Sequence, residues 1–222
     1  MTGPVLTSLG VAAAATLVSL PPALALAWLL ARRRFVGKAL VETLVALPLV
    51  LPPVVTGLLL LLLLGRGSVL GGWLHETLGF EFVFSTSAAV LAAAVVSWPL
   101  LVRTLRVALE GVDPRLEQAA RTLGAGPLTT FRTVTLALCR RGVVAATVLG
   151  FARALGEFGA TLVVAGALPG GRVTAPVAVF RELQSGRPEN ALPLVGALVA
   201  LAFGAMLVSE WLVRRERSTW TP

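Results

Sequence analysis

Five long apolar runs separated by polar stretches organise the chain: Val5 to Leu30, Ala39 to Leu64, Ala88 to Leu109, Gly142 to Gly166 and Leu192 to Val213. A helix that crosses a bilayer needs roughly 20 apolar residues, so each run predicts one span. The connections are Arg32-Arg33-Arg34 through Lys38, then 65–87, 110–141 and 167–191, with a tail from Arg214. The pattern predicts an all-α integral membrane protein of about five transmembrane helices, spans 5–30, 39–64, 88–109, 142–166 and 192–213, in a single domain over 1–222. Segment 110–141 is the longest connection.

Proline and glycine interrupt these runs. Pro21-Pro22, Pro48, Pro52-Pro53, Pro99 and Pro193 fall within or at the edge of spans, with Gly57, Gly150, Gly156, Gly159, Gly196 and Gly204 as small packing surfaces. Because the bilayer core has no water to satisfy a freed carbonyl, such breaks need protein or a cavity beside them. Small residues let helices approach closely. A bundle that moves or lines a path suits this composition, and so does the ordinary enrichment of both residues in membrane helices.

Composition excludes a soluble domain. Hydrophobic residues make up 56% and charged residues only 14%, with a mean hydropathy of +0.87; soluble chains carry about 25% charge. The net charge of +8 then reads as a topology signal rather than a nucleic-acid surface. Fourteen of the 19 basic residues fall in the first connection, the third connection with the end of its span, and the tail. The alternate connections hold Arg66, Arg172, Arg181 and Arg187, and Arg153 lies within a run. That asymmetry predicts an outside N-terminus and a cytoplasmic C-terminus, with Trp28 and Trp211 as interfacial anchors at the cytoplasmic ends of their spans. The first run reads as a retained span, because its arginines follow the apolar core instead of preceding it as in a secretory signal.

The most informative polar stretch runs from Asp113 to Pro127. Asp113 suits an N-cap, Pro114 the first helical position and Gly124 a left-handed helix end, which predicts a short helix on the cytoplasmic side. Gly126-Pro127 predicts a second helix running into the fourth span. The small Ala119-Ala120 pair leaves room for another protein, although a plain surface loop also fits.

Glu117-Gln118-Ala119-Ala120-Arg121-Thr122-Leu123-Gly124-Ala125 resembles the EAA loop of the membrane permease subunits of ABC importers. In this sequence Gln118 stands directly before the alanine pair and Glu117 one position earlier, Ala137 replaces the proline of the downstream Leu-Pro, and Arg141 stands where many members have proline. Two further segments resemble the molybdate, tungstate and sulfate permeases: Leu47-Pro48-Leu49-Val50-Leu51-Pro52-Pro53-Val54-Val55-Thr56-Gly57, and Phe151-Ala152-Arg153-Ala154-Leu155-Gly156-Glu157-Phe158-Gly159-Ala160-Thr161. The resemblance implies a type I ABC importer permease fold in the cell (inner) membrane, working as a homodimer with two ATPase subunits and an extracytoplasmic substrate-binding protein. It implies Glu117, Gln118, Ala119, Ala120, Arg121 and Gly124 as the ATPase-coupling helix, and an oxyanion substrate, molybdate first with tungstate and sulfate as alternatives.

Arg153 and Glu157, four residues apart, read as neighbours on one helical face inside the fourth span. Charges at such depth face a bundle interior or water, so the pair is either a structural bridge or, with Gly156 and Gly159, part of the translocation path or gate. The chain has no G-x-x-x-x-G-K-[ST] phosphate loop, so ATP is expected only at the partner subunit and no cofactor on this chain. One histidine, His75, and one cysteine, Cys139, leave no metal cluster or catalytic set, and an enzyme is not expected. A nucleotide-independent secondary carrier is the competing class, and it has no use for a docking helix.

Overall fold

The computed structural model describes residues 2–79, 82–166 and 168–217. Helix α1 (Thr2–Arg32) is followed by α2 (Lys38–Val50), α3 (Pro53–Leu64), α4 (Val69–Leu78) and α5 (Thr86–Glu110). Then come the short α6 (Pro114–Thr122), α7 (Pro127–Thr130), a π turn (Phe131–Thr135) and α8 (Leu136–Leu155). The last part holds α9 (Gly159–Val164), α10 (Ala175–Gln184) and α11 (Pro188–Arg217). Four helical stretches are long and apolar enough to cross a membrane, and the bent pair α2–α3 makes a fifth candidate.

The core forms where α5 packs against α1 and α8. Alanines supply much of it: Ala12, Ala15, Ala23 and Ala27 of α1, Ala88, Ala89, Ala92 and Ala93 of α5, and Ala146 of α8 are buried. Small side chains bring helix backbones together without a polar penalty. Larger residues, Leu101, Leu105 and Leu109, fill the half of the core toward α6. At the opposite end of α1, the buried Ser8 hydroxyl accepts the Ala175 N–H at 2.7 Å, capping α10 from a distant helix.

Two expected spans differ from single straight helices. The 39–64 run breaks at Leu51 and Pro52, where its direction bends by 113°. Leu51 and Pro52 are both extended, at φ −68°, ψ 139° and φ −54°, ψ 135°, because a residue that precedes proline is kept out of helical geometry. The expected 142–166 run is also corrected. Its helix begins at Pro127 and ends at Leu155, so Glu157 lies beyond it and α9 is a separate element. By contrast, Pro21 and Pro22 leave α1 unbroken and are exposed, while Pro99 is fully buried inside α5.

Candidate functional site

Local sequence builds α6. Asp113 Oδ1 accepts the Arg115 N–H at 2.9 Å, and Pro114 occupies the first turn, where its missing N–H costs nothing. At the other end Gly124 takes φ +87°. Its N–H reaches the Arg121 carbonyl at 3.0 Å while the Ala125 N–H reaches Ala120 at 3.0 Å. That bond pair is the Schellman closure, and it turns the chain back toward α7.

Long-range contacts then fix the helix to the bundle. Glu117 is 8% exposed, and its Oε1 accepts from Arg32 Nη2 at 2.8 Å and from Thr135 Oγ1 at 2.8 Å. Arg32 Nη2 also donates to the Val112 carbonyl at 3.0 Å, just before α6. One carboxylate therefore ties α6 to the last residue of α1 and to the π turn at the root of α8. Beside it Trp28 and Phe131 meet edge to face at 6.3 Å.

The expected coupling residues divide between two faces. At 100° per residue, Pro114, Glu117, Gln118 and Arg121 share one side of α6, and Leu116, Ala119, Ala120 and Leu123 share the other. The first side looks into a cavity of about 970 Å³ bounded by α1 and α7. The second is apolar and open, with Leu116 46% and Leu123 88% exposed. Glu117 is thus turned inward, with its carboxylate already engaged.

Further charges gather where α1 and α5 end and α2 begins. Arg106 of α5 binds Glu42 and Glu110, each at 2.7 Å, and Lys38 Nζ donates to the Leu30 carbonyl at 2.6 Å.

Arg153 and Glu157 do meet, at 3.2 Å, but not along one helix as their spacing suggested. Helix α8 stops at Leu155, with Gly156 as its C-cap, and Glu157 Oε1 accepts the Ala160 N–H at 2.8 Å. The carboxylate caps α9, favourable for an anion at a helix N-terminus. The Glu157 side chain is 2% exposed and that of Arg153 31%. Here α9 lies backbone to backbone on α3: a Cβ on Gly57 would stand 2.8 Å from Ala160 Cα, and one on Gly159 3.1 Å from Val54 N. Gly156, between the two charges, is exposed.

Residues 23–218 match the family described as the binding-protein-dependent transport system inner membrane component. The chain belongs to this family. Every residue of the α6 arrangement and of the Arg153–Glu157 pair lies inside the matched region. As a member of the family it is a multi-pass inner membrane component of a transport system. It is similar to the molybdenum transport system permease protein ModB of Escherichia coli strain K12, 51% identical over 217 residues that cover 96% of this chain and 95% of the relative. ModB of Haemophilus influenzae is 47% identical over 209 residues, covering 94% and 91%. The fold matches a structure of the MetNI methionine ABC transporter in inward-facing conformations, with a TM-score of 0.66, 16% identity and coverage of 94% of both chains.

Sequence reasoning missed Arg32 and Thr135. Arg32 reads as one of three consecutive arginines, and nothing local separates it from Arg33 and Arg34. Thr135 carries no motif at all.

Proposed function

We propose that the chain is the permease subunit of an ATP-driven molybdate importer, paired with a second copy of itself. Molybdate is supported by the ModB relatives, which match across nearly their whole length. The basic asymmetry supports an outside N-terminus and a cytoplasmic C-terminus, which puts α6 in the cytoplasm. Two ATPase subunits each receive one α6 there, and a substrate-binding protein docks on the outer face. ATP binds and is hydrolysed on the ATPase pair, and this chain supplies no cofactor.

Coupling follows from the two faces of α6. The open apolar face of Leu116, Ala119, Ala120 and Leu123 meets the ATPase. The inward face, through Glu117, passes the movement to α1 by Arg32 and to α8 by Thr135. A helix held from both sides transmits pull as well as push, so separation of the ATPase pair resets the spans as effectively as its closure opens them. Gln118 and Arg121 flank Glu117, and Gly124 allows the chain reversal that returns α6 to α7. At the far end of α8, Arg153 offers the positive charge an oxyanion needs, and Glu157 holds it in place while keeping α9 against α3. Gly159 keeps this junction narrow, and Gly156 lies exposed between the two charges.

The carrying observation is the capped α6 with Glu117 bonded to two spans, in a chain half identical to ModB. Proteoliposomes containing the permease, its ATPase and its binding protein test the reading. Molybdate uptake that requires ATP, with sulfate a poor competitor, is expected. ATP-independent uptake would assign a secondary carrier instead, and sulfate uptake without molybdate uptake would overturn the substrate.

A further inference from the structure

We propose that the cavity between α1, α6 and α7 holds the headgroup of an anionic phospholipid, with the phosphate at its arginine rim and the upper acyl chain against α1. The site does not depend on which solute the permease carries. The cavity is an open cleft of about 970 Å³, the upper end of small-molecule pockets and far more than a free inorganic anion fills. Ala25, Trp28 and Leu29 form an apolar wall, and Arg32 and Arg33 begin the polar end. From Ala25 to Arg32 is about 10 Å along the helix, crossing from hydrocarbon depth to the headgroup layer, where tryptophan and arginine side chains concentrate.

Two buried polar atoms of this wall have no partner within the protein. Thr130 is 1% exposed, and its Oγ1 makes no hydrogen bond; the same holds for Arg32 Nε. Both residues line the cavity. Buried polar atoms are otherwise almost always satisfied; these two lie beneath the cavity wall, and a phosphate seated at the rim would engage them once their side chains turn outward. Arg33 and Arg121 also line the cavity, and neither is paired with a carboxylate among the described residues. Glu117, the cavity's acid, is neutralised by Arg32. The rim therefore carries two uncompensated positive charges beside an apolar wall, the complement of a phospholipid phosphate. Because this side of α6 lies opposite Ala119 and Ala120, an ATPase seated on the alanine face leaves the cavity free.

The test uses the complete permease–ATPase complex, delipidated in detergent and titrated separately with phosphatidylglycerol, phosphatidylcholine and inorganic phosphate, with bound mass read by native mass spectrometry. One phosphatidylglycerol per permease chain is expected, retained in the presence of millimolar phosphate and not replaced by phosphatidylcholine. The Arg33→Gln/Arg121→Gln variant should bind it about thirtyfold more weakly. Ala25→Phe, which fills the apolar wall and keeps every charge, should also lose it. Displacement by phosphate would assign a free oxyanion site and overturn the lipid. The same titration of the permease without its ATPase is the control, and binding there that is absent in the complex would give the cavity to the ATPase. Equal binding by wild type and either variant would remove the lipid from this cavity.

Discussion

Arg32 and Glu117, 85 residues apart in sequence, share a hydrogen-bonded ion pair of 2.8 Å with side chains 13% and 11% exposed. It joins the end of the first membrane helix to the short helix outside the spans. Thr135 supplies the second hydrogen bond to the same carboxylate oxygen, so the contact closes a triangle among α1, α6 and the root of α8.

Breaking that pair on one side should destabilise the protein more than removing it altogether. Arg32→Ala leaves the Glu117 carboxylate with Thr135 alone, and an orphaned buried charge costs about 3–5 kcal/mol. The Arg32→Ala/Glu117→Ala double variant removes the orphan. Thermal unfolding in detergent is expected to rank wild type first, the double variant next and Arg32→Ala last; a sum of two independent losses would contradict the pairing.

The open face of α6 predicts a different phenotype. Ala119→Trp adds bulk where the ATPase is proposed to sit, without touching Glu117. Overpacking an interface by such a step costs about 1–3 kcal/mol, so copurification of the ATPase should fall roughly tenfold while the permease itself unfolds at its usual temperature. Undiminished copurification would remove Leu116, Ala119, Ala120 and Leu123 from the interface.

The α3–α9 contact is tested through two glycines. At Gly57 an added Cβ would meet the Ala160 backbone at 2.8 Å, whereas at Gly10 nothing lies within 4 Å. Gly57→Ala should destabilise by about 1–3 kcal/mol, and Gly10→Ala should leave stability equal or raised by about 0.5–1 kcal/mol. Differential scanning of both variants in one detergent checks the contrast.

At the far end of α8, Arg153→Ala and Glu157→Ala are compared at equal assembled complex. Molybdate uptake should fall in both, and Glu157→Ala should also loosen the first turn of α9, read as faster amide exchange at Ala160. Glu157→Gln keeps an acceptor for that N–H, so it should restore exchange protection without restoring uptake. Unchanged uptake in Arg153→Ala and Glu157→Ala would remove the pair from the path.

What could be read from sequence and what could not follow one physical division. Asp113, Pro114 and Gly124 act on their immediate neighbours, so their spacing alone outlines α6 and its turn. The burial of Glu117 depends on Arg32 and Thr135, which only the packed bundle brings near. The break after Leu155 is hidden in the same way: Phe151 to Thr161 reads as continuous apolar helix, but Glu157 caps α9 and α9 rests on the glycine-narrowed face of α3. The 113° turn at Leu51–Pro52 had a visible cause in the paired prolines, and apolar run length outweighed it.

Glu117 is proposed to carry movement from the ATPase-docking helix into the spans, and the ratio of ATP hydrolysed to molybdate delivered measures that transfer most directly. In proteoliposomes with saturating binding protein, Glu117→Ala complexes that retain the ATPase should hydrolyse ATP while delivering at least about tenfold less molybdate per ATP, the loss of a charge-assisted link of 1.5–3 kcal/mol. An unchanged ratio in that assembled variant would contradict the account.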